Sequence, residues 1–412
     1  MSVNKETFCP YPFDTVFLGA DGGVKTCCSA SGPIGNINDT PMAEIVQGPL
    51  AKEIRQSILD GKWHDGNCSK CKGLESLGGK TERTESLCRD WPPKDQMEKF
   101  KNATIETFIP AYLDLRWSNT CNLACNYCYE YFSSRWAQIK GVVVNANKEH
   151  AEDTMFAFLD DHKNTITNLR LLGGEPLLQK QNLKLFEILP TQNYYILTNL
   201  STDVPNNPIA GKLLTMPNVF WGVSFETIGE RFEYVRHGAD WKKLNDNLLH
   251  LENCGIKKIN THPVYCTYSA FSLMEYYDFI TSRKVFNEIH WSVLNNIDGL
   301  NVFTLPGKMR EKAIKELENC INTYKDVNDD GRTAAVTRFG THELADIKDS
   351  LIKSLDDYNI KSPKEQQDEY LRREQSKRTF IQWTATMQEQ HKTKKNTFQE
   401  LWPEVTHMLN EI

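Results

Sequence analysis

Three cysteines on one short segment of the chain have the spacing of a reactive metal centre. They are Cys121, Cys125 and Cys128, in the pattern C-x3-C-x2-C. Thiolates this close can converge on one site, and a 4Fe–4S cluster held by three cysteines keeps one iron open to another ligand. An open coordination position is typical of catalytic metal sites. The alternative is a zinc ion completed by a residue distant in sequence, and the spacing leaves both open.

A second group of cysteines occupies the first 90 residues. Its members are Cys9, Cys27, Cys28, Cys68, Cys71 and Cys88. Clustered cysteines in a reducing compartment are more often metal ligands than disulfides, although separated cysteine pairs also suit structural zinc. The surrounding segment is rich in Gly and turn residues, has a strand-like piece at 15–18 and a helical stretch at 42–59, and is short of aliphatic side chains. We therefore expect a metal to stabilise it.

The elements that must position these cysteines alternate between strands and helices from about residue 111 to residue 298. The strand candidates are AYLDLRWS, NLRLLGG, YYILTN, VFWGVSFE, KKINTHPVYC and EIHWSVL, and helical patterns include 149–163, 182–189 and 241–253. Such alternation predicts a parallel sheet that is either open or curved into a barrel.

The two faces of these strands favour a curved sheet. In VFWGVSFE the apolar side carries Trp221, Val223 and Phe225, whereas the other side carries Gly222, Ser224 and Glu226. A sheet covered by helices on both faces would read as almost continuously apolar. The pattern therefore predicts an α/β fold, a partial barrel with a polar interior. The candidate substrate contacts on that interior are Asp114, Arg116, Asn260, His262 and His290.

Composition sets the outer limits of function. The 412 residues are 40% hydrophobic and 25% charged, which is typical of a globular protein, and the net charge of −6 provides no global basic field for nucleic acid. No apolar run is long enough to span a membrane, and residues 1–18 lack the pattern of a secretion signal. We therefore expect a cytoplasmic protein without nucleic-acid or membrane partners.

The ordered motifs resemble those of the radical S-adenosylmethionine (SAM) superfamily, over about residues 111–298. That family has C-x3-C-x-aromatic-C after the first strand of a partial (β/α)6 barrel, and the aromatic residue here is Tyr127. The second strand ends in a GGEP motif, which in similar enzymes contacts the SAM amino group: Gly173, Gly174, Glu175 and Pro176. Ser224 and Arg236 match positions that contact the SAM ribose and carboxylate.

This resemblance implies a defined radical chemistry. SAM chelates the open iron of the cluster through its amino and carboxylate groups. One electron from the reduced cluster then releases a 5′-deoxyadenosyl radical, which abstracts a hydrogen atom from an unactivated carbon. The cofactors perform this difficult step, while the protein positions the substrate and excludes water. An electron donor such as a flavodoxin or a ferredoxin is implied as a partner.

The first 90 residues resemble the SPASM/twitch module, which holds an auxiliary 4Fe–4S cluster in radical SAM enzymes. The resemblance rests on a gap of seventeen residues after the first cysteine and on a late C-x2-C pair, and it implies a ligand set of Cys9, Cys27, Cys68 and Cys71. Cys28 is an alternative to Cys27, and Cys88 is a spare or fifth ligand. The family usually places this module after the barrel, whereas here it precedes the barrel.

The resulting organisation has four parts. An auxiliary cluster domain at 1–90 and a linker at 91–110 precede the partial barrel at 111–300, and a helical region follows at 301–412. The predicted function is a radical SAM enzyme with two 4Fe–4S clusters that oxidatively modifies a peptide or protein side chain. The auxiliary cluster would accept the electron left by oxidation, or would instead bind or orient the substrate. The alternatives are dehydrogenation of a small polyol or amino sugar, and a non-catalytic zinc-binding scaffold.

Overall fold

The fold is taken from a computed structural model that describes residues 6–76, 81, 83–84, 99–144, 149–324, 341–359, 362–390 and 396–411. The predicted spare ligand Cys88 and residues 91–98 of the predicted linker lie outside these ranges.

One large sheet organises the described chain. Its strands are β1 (Thr15–Leu18), β2 (Gly23–Lys25), β3 (Gly35–Asn36), β4 (Tyr112–Leu115), β6 (Asn168–Leu171), β7 (Asn193–Thr198), β8 (Val219–Val223), β10 (Ile259–Thr261) and β12 (Phe286–Ile289). They lie in the order β12-β10-β8-β7-β6-β4-β1-β2-β3. Two short pairs accompany the sheet: β5 (Ala124–Cys125) with β9 (Arg236–His237), and β11 (Val264–Tyr265) with β13 (Ser292–Val293).

Helices cover the sheet and form the end of the chain. They are α1 (Tyr11–Asp14), α2 (Met42–Val46), α3 (Pro49–Leu59), α4 (Ser69–Ser76), α5 (Ser134–Lys140), α6 (Glu149–Asp161), α7 (Gln181–Ile188), α8 (Pro208–Thr215), α9 (Gly229–Val235), α10 (Trp241–Asn253), α11 (Leu273–Ser282), α12 (Gly307–Tyr324), α13 (Thr341–Asn359), α14 (Pro363–Gln390), α15 (Phe398–Leu401) and α16 (Pro403–Glu411). Short 3-10 turns lie at Pro176–Leu178, Val204–Asn206 and Val302–Thr304.

The central part of the sheet confirms the predicted α/β class. Strands β4, β6, β7, β8, β10 and β12 are neighbours in chain order and pair in parallel. Each of the predicted strand runs overlaps one of them, although EIHWSVL shares only its first two residues with β12. In β7 the side chains of Tyr194, Ile196 and Thr198 are buried, whereas Asn193, Tyr195 and Leu197 on the other face are partly exposed. Helices therefore cover one face, and the polar face remains open, as the alternation predicts.

The N-terminal strands extend the same sheet. Strand β1 pairs in parallel with β4, with Thr15 opposite Tyr112 and Leu18 opposite Leu115, and β2 and β3 follow in antiparallel order. The helical stretch predicted at 42–59 is two helices. Gly48 is extended between them and Pro49 begins the second, because proline has no N–H to continue the first helix.

The C-terminal region is helical, as predicted. Every regular element among the described residues from 302 onward is a helix. Phe380, Phe398 and Trp402 pack together and against Tyr268, which ties this region to the barrel. Within the described ranges, none of the helices combines the length and apolar character needed to cross a membrane.

Candidate active site

The cysteine loop (residues 121–128) follows β4 at the carboxyl edge of the parallel strands. Its backbone is held by specific contacts rather than by regular structure alone. Cys125 lies opposite Arg236 in the β5–β9 pair, and the Cys128 amide donates to the Cys125 carbonyl at 2.9 Å. The Trp136 indole donates to the same carbonyl at 2.9 Å, and the Ser134 hydroxyl bonds the Cys121 carbonyl at 3.1 Å. Helix α5 thus anchors the loop from behind.

The three thiols of the loop lie close enough to influence one another. Burial raises the pKa of Cys125 to about 11, and burial together with the charge of Cys125 raises the pKa of Cys128 to about 12. Burial and the same neighbour raise the pKa of Cys121 as well. A bound metal favours the thiolate form of such cysteines, and three neighbouring soft sulfur donors fit the donor set of an iron–sulfur cluster.

The loop is less suited to a single ion. Among the residues that the structure describes, no three His, Cys, Asp or Glu side chains are grouped as one metal ion would require. A cubane does not need such convergence, because each thiolate binds its own iron.

The GGEP turn after β6 lies directly against the start of the cysteine loop. The Glu175 amide donates to the Thr120 carbonyl at 2.7 Å. A Cβ at Gly174 would lie 2.1 Å from that carbonyl oxygen, so no larger residue fits there. Gly173 has a φ of +109°, which favours glycine. The two glycines therefore permit the close approach of the two segments.

Glu175 of this turn is a fully buried carboxyl. It accepts hydrogen bonds from the Leu177 amide at 3.1 Å, the Thr198 hydroxyl at 2.6 Å and the Asn199 amide at 2.8 Å. Burial raises its pKa to about 7, although these three hydrogen bonds act to lower it. Glu175 thereby links the turn to the end of β7.

Asn199 is a site residue that the sequence analysis missed. Its side-chain amide donates to Asn122 at 2.9 Å and points to the Cys121 sulfur at 3.8 Å. The next residue, Leu200, has a φ of 50° although it is buried and not glycine. Strained backbone of this kind is concentrated at functional sites. A polar residue directly after a strand with one buried face was the available signal.

Tyr127, Ser224 and Arg236 all lie at this carboxyl edge. The Ser224 amide donates to the Thr198 carbonyl at 2.9 Å, and its side chain is partly exposed. The Arg236 guanidinium donates to the Glu226 carboxylate at 2.6 and 3.2 Å, and the Tyr127 hydroxyl donates to the same carboxylate at 2.9 Å. Glu226 therefore brings Tyr127 and Arg236 together, a role that the sequence analysis did not assign.

The predicted interior contacts of β10 and β12 form one network. Asn260 donates to the Tyr195 hydroxyl at 3.1 Å and to Glu288 at 2.8 Å. Tyr195 contacts the His262 ring at 3.2 Å, and His290 contacts Glu288 at 3.1 Å. The two histidine rings stack at 4.9 Å. We call these five side chains the polar wall; Tyr195 and Glu288 were missed by the sequence analysis.

The remaining interior candidates, Asp114 and Arg116, pair with each other. Their closest approach is 3.1 Å, and the Arg116 guanidinium also lies over the Phe17 ring at 4.5 Å. They occupy β4 and the residues directly after it, at the opposite side of the barrel sheet from the polar wall.

Helix α14 covers the outer side of the cysteine loop. The Trp383 indole donates to the Asn126 carbonyl at 3.1 Å. Met387, one turn further along, packs with Ala124 and Trp136 in a small apolar cluster against which Cys128 also lies. The C-terminal region is therefore part of the wall around this site.

The N-terminal cysteines form a separate cavity. Cys9, Cys27, Cys68 and Cys71 all line it, whereas Cys28 is not among the lining residues. Burial raises the pKa of each of the four. Four thiols that line one cavity fit the four-cysteine ligand set of a 4Fe–4S cluster.

Arg83 is a further residue of this cavity that the sequence analysis missed. It is buried, forms an ion pair with Glu75 and donates to the Phe8 carbonyl at 3.0 Å. Its charge lowers the pKa of Cys68 and Cys71, in part offsetting their burial. No sequence motif connects Arg83 with these cysteines, so it was not predicted.

The two cysteine groups lie at opposite ends of the β1–β4 pair. Cys9 precedes β1, and Cys27 follows β2, which runs back antiparallel to β1. Since β1 is parallel to β4, this cavity is at the amino end of β4. The cysteine loop follows the carboxyl end. The length of a four-residue strand, about 13 Å, therefore separates the two edges.

Comparison with protein families gives two matches. Residues 115–280 match the radical SAM superfamily. Residues 9–72 match SPASM, an iron–sulfur cluster-binding domain. The first match includes the cysteine loop and the GGEP turn, and the second includes the four cysteines of the N-terminal cavity. No curated protein matches the chain.

Several solved structures are similar to the chain. Native anSMEcpe with bound AdoMet is 18% identical with a TM-score of 0.40, over 52% of this chain and 60% of that one. Streptococcus suis SuiB bound to S-adenosylmethionine is 17% identical with a TM-score of 0.40, over 69% and 61%. SuiB bound to its precursor peptide SuiA is 15% identical with a TM-score of 0.40, over 67% and 60%. The chain spans about three fifths of the length of these proteins.

Proposed function

Because this chain belongs to the radical SAM superfamily and carries an SPASM iron–sulfur cluster-binding domain, we propose that it is an enzyme that oxidatively modifies a peptide or protein side chain. The family implies 4Fe–4S clusters and SAM as cofactors, in place of the zinc alternative. The observation that carries the proposal is the placement of the cysteine loop at the carboxyl edge of a barrel whose interior is polar. An SPASM domain beside such a barrel supports a peptide substrate, since many relatives with this module modify peptides.

Different residues around the cysteine loop would bind the cluster and SAM. Cys121, Cys125 and Cys128 would hold the first cluster. The GGEP turn and Ser224 would bind SAM. Tyr127 and Arg236 would lie on the buried side of this binding site, where both contact Glu226. When bound, SAM and this cluster supply the reductive cleavage that starts hydrogen abstraction, and the auxiliary cluster supplies an acceptor for the electron left by oxidation. A flavodoxin or ferredoxin would be the external electron donor.

The N-terminal cavity would hold the auxiliary cluster through Cys9, Cys27, Cys68 and Cys71. Its position at the amino end of β4 supports electron acceptance rather than substrate ligation. A substrate that meets the cysteine loop at the carboxyl edge would have to cross the depth of the sheet to reach it. We propose the domain limits of 1–90, 91–110, 111–300 and 301–412, with the auxiliary cluster in the first part and the cysteine loop in the third.

The polar wall would orient the substrate. His262 is largely buried beside His290, and burial lowers its pKa well below the ordinary value. A neutral imidazole both donates and accepts a hydrogen bond, so His262 can hold a substrate amide or hydroxyl without adding charge. Asn260 and Tyr195 add further donors and acceptors beside it.

A second candidate function is dehydrogenation of a small polyol or amino sugar. The observation in its favour is the same polar wall, because a run of hydrogen-bonding side chains suits a substrate rich in hydroxyl groups. The two candidates use the same cofactors and differ in what occupies the barrel.

Iron analysis tests the cofactor assignment. Anaerobically reconstituted protein is expected to hold about eight irons, and the Cys121/Cys125/Cys128→Ala triple variant about four, because each cubane contains four irons and each cysteine group holds one. Iron and acid-labile sulfide are measured together. Wild-type protein with about four irons and a variant with none would contradict an auxiliary cluster and remove the proposed electron acceptor.

Product analysis separates the two candidate functions. Reconstituted protein is incubated with SAM, a reductant and either a peptide library or a set of polyols and amino sugars. We expect peptides to raise 5′-deoxyadenosine formation and to yield a product two hydrogens lighter. Stimulation by polyols alone would favour the second candidate. A product heavier by one methyl group would exclude oxidation as the reaction.

A further inference from the structure

Glu226 is a buried carboxylate that none of the motifs assigns. It lies three residues past the end of β8 and is fully buried. One oxygen accepts hydrogen bonds from Arg236 at 2.6 Å and from Tyr127 at 2.9 Å, and the other accepts the second Arg236 bond at 3.2 Å. A fork of this kind, with both partners charged, is among the strong hydrogen bonds.

Arg236 connects this carboxylate to the cysteine loop. It is paired with Cys125 across β5 and β9, so its positive charge lies beside the Cys125 thiol. The guanidinium stays charged, because arginine does not deprotonate in proteins. A positive and a negative charge therefore lie together behind one ligand of the loop.

We infer that Glu226 is a positioning residue that neutralises Arg236 beside Cys125 and thereby keeps the reduction potential of the cluster on this loop low. The inference rests on the proposed function, since it concerns the cluster assigned there. Net charge and hydrogen bonds to the sulfurs set the potentials of iron–sulfur clusters. In a buried site such charges are weakly screened.

The sign of the effect follows from charge. Reduction adds an electron to the cluster, so an uncompensated cation nearby favours the reduced form and raises the potential. Arginine does not deprotonate in proteins, so removal of the Glu226 charge leaves that cation in place. Arg236 and Glu226 together leave no net charge behind Cys125.

The test is an EPR-monitored redox titration of full-length, reconstituted protein without SAM. Glu226→Gln is expected to titrate at a more positive potential than wild type, whereas Glu226→Asp, which keeps the charge, stays close to wild type. Glu369→Gln is the matched control. This substitution breaks another buried ion pair, the one between Glu369 and Arg373. Arg373 lies on α14 ten residues before Trp383, a distance of about 15 Å along the helix, so the pair is away from the cysteine loop. A Glu226→Gln protein with full iron and an unchanged potential would overturn the inference.

A double variant covers the case in which Glu226→Gln does not retain its loop iron. Glu226→Gln/Arg236→Gln removes both charges, and we expect it to hold iron and to titrate near wild type. Loss of loop iron in the double variant as well would contradict charge balance as the reason. SAM is added after each titration to identify the signal. A wild-type EPR signal that does not change when SAM is added would count against the proposed function. The difference in potential between Glu226→Gln and wild type tests the inference separately, because it is measured before SAM is added.

Discussion

Replacement of Cys27 by alanine is expected to lower the iron content from about eight to about four per chain, because one of four ligands to a cubane is removed. Cys27 lines the N-terminal cavity together with Cys9, Cys68 and Cys71. Its thiol is partly exposed, and desolvation and the charges of neighbouring cysteines raise its pKa. The measurement is iron and sulfide after anaerobic reconstitution.

The adjacent Cys28 provides the matched control. It is one residue away, is also partly exposed, and is not among the residues that line the cavity. Its sulfur lies 4.0 Å from the Ser29 hydroxyl. Cys28→Ala is expected to retain about eight irons, since both clusters keep all their ligands. The reverse result, with iron lost from Cys28→Ala and retained in Cys27→Ala, would move the ligand assignment by one residue.

Gly174→Ala is expected to destabilise the protein by about 3 kcal/mol or more and to remove the loop iron, because overpacking against backbone cannot be relieved by a rotamer change. The added Cβ would lie 2.1 Å from the Thr120 carbonyl oxygen and 2.6 Å from that of Asn119. These residues directly precede Cys121, so the turn and the cysteine loop must separate. Urea unfolding of the apoprotein gives the stability change, and iron analysis gives the loss of the cluster.

Gly211→Ala is the control for this substitution. Gly211 lies inside α8, and a Cβ there would meet nothing within 4 Å. Alanine at an exposed position in a helix is favoured over glycine by about 0.5–1 kcal/mol, so this variant should be slightly more stable and keep its iron. If Gly174→Ala unfolded at the same urea concentration as Gly211→Ala, the close packing of the GGEP turn on the loop would be disproved.

Much of the fold was predictable because it depends on short-range patterns. The period of two in the strand runs predicted a buried and a polar face, and β7 shows both, whereas in β8 Gly222 of the predicted polar face is buried together with Trp221 and Val223. The division of 42–59 into two helices was not predicted, although Pro49 after Gly48 was a visible signal. The parallel pairing of β1 with β4 joins segments almost 100 residues apart, and no local pattern encodes such a partner.

The candidate site, like the fold, was predictable only in part. The cysteine spacing, the GGEP turn and the positions of Ser224 and Arg236 were read from the sequence, and the structure places them at one edge of the sheet. Asn199 and Glu288 were missed because a polar residue at a strand end is common in any protein. Their importance comes from the neighbours that they meet.

The sequence by itself determined which residues are candidates for chemistry: two groups of cysteines, and strands with one polar face. Only the tertiary structure decided which of these residues meet. It placed Cys27 rather than Cys28 in the N-terminal cavity, paired Arg236 with Glu226, and brought Trp383 to Asn126 from 257 residues away. The physical reason is that spacing and periodicity act over a few residues, whereas contacts between distant segments depend on the packing of the whole chain.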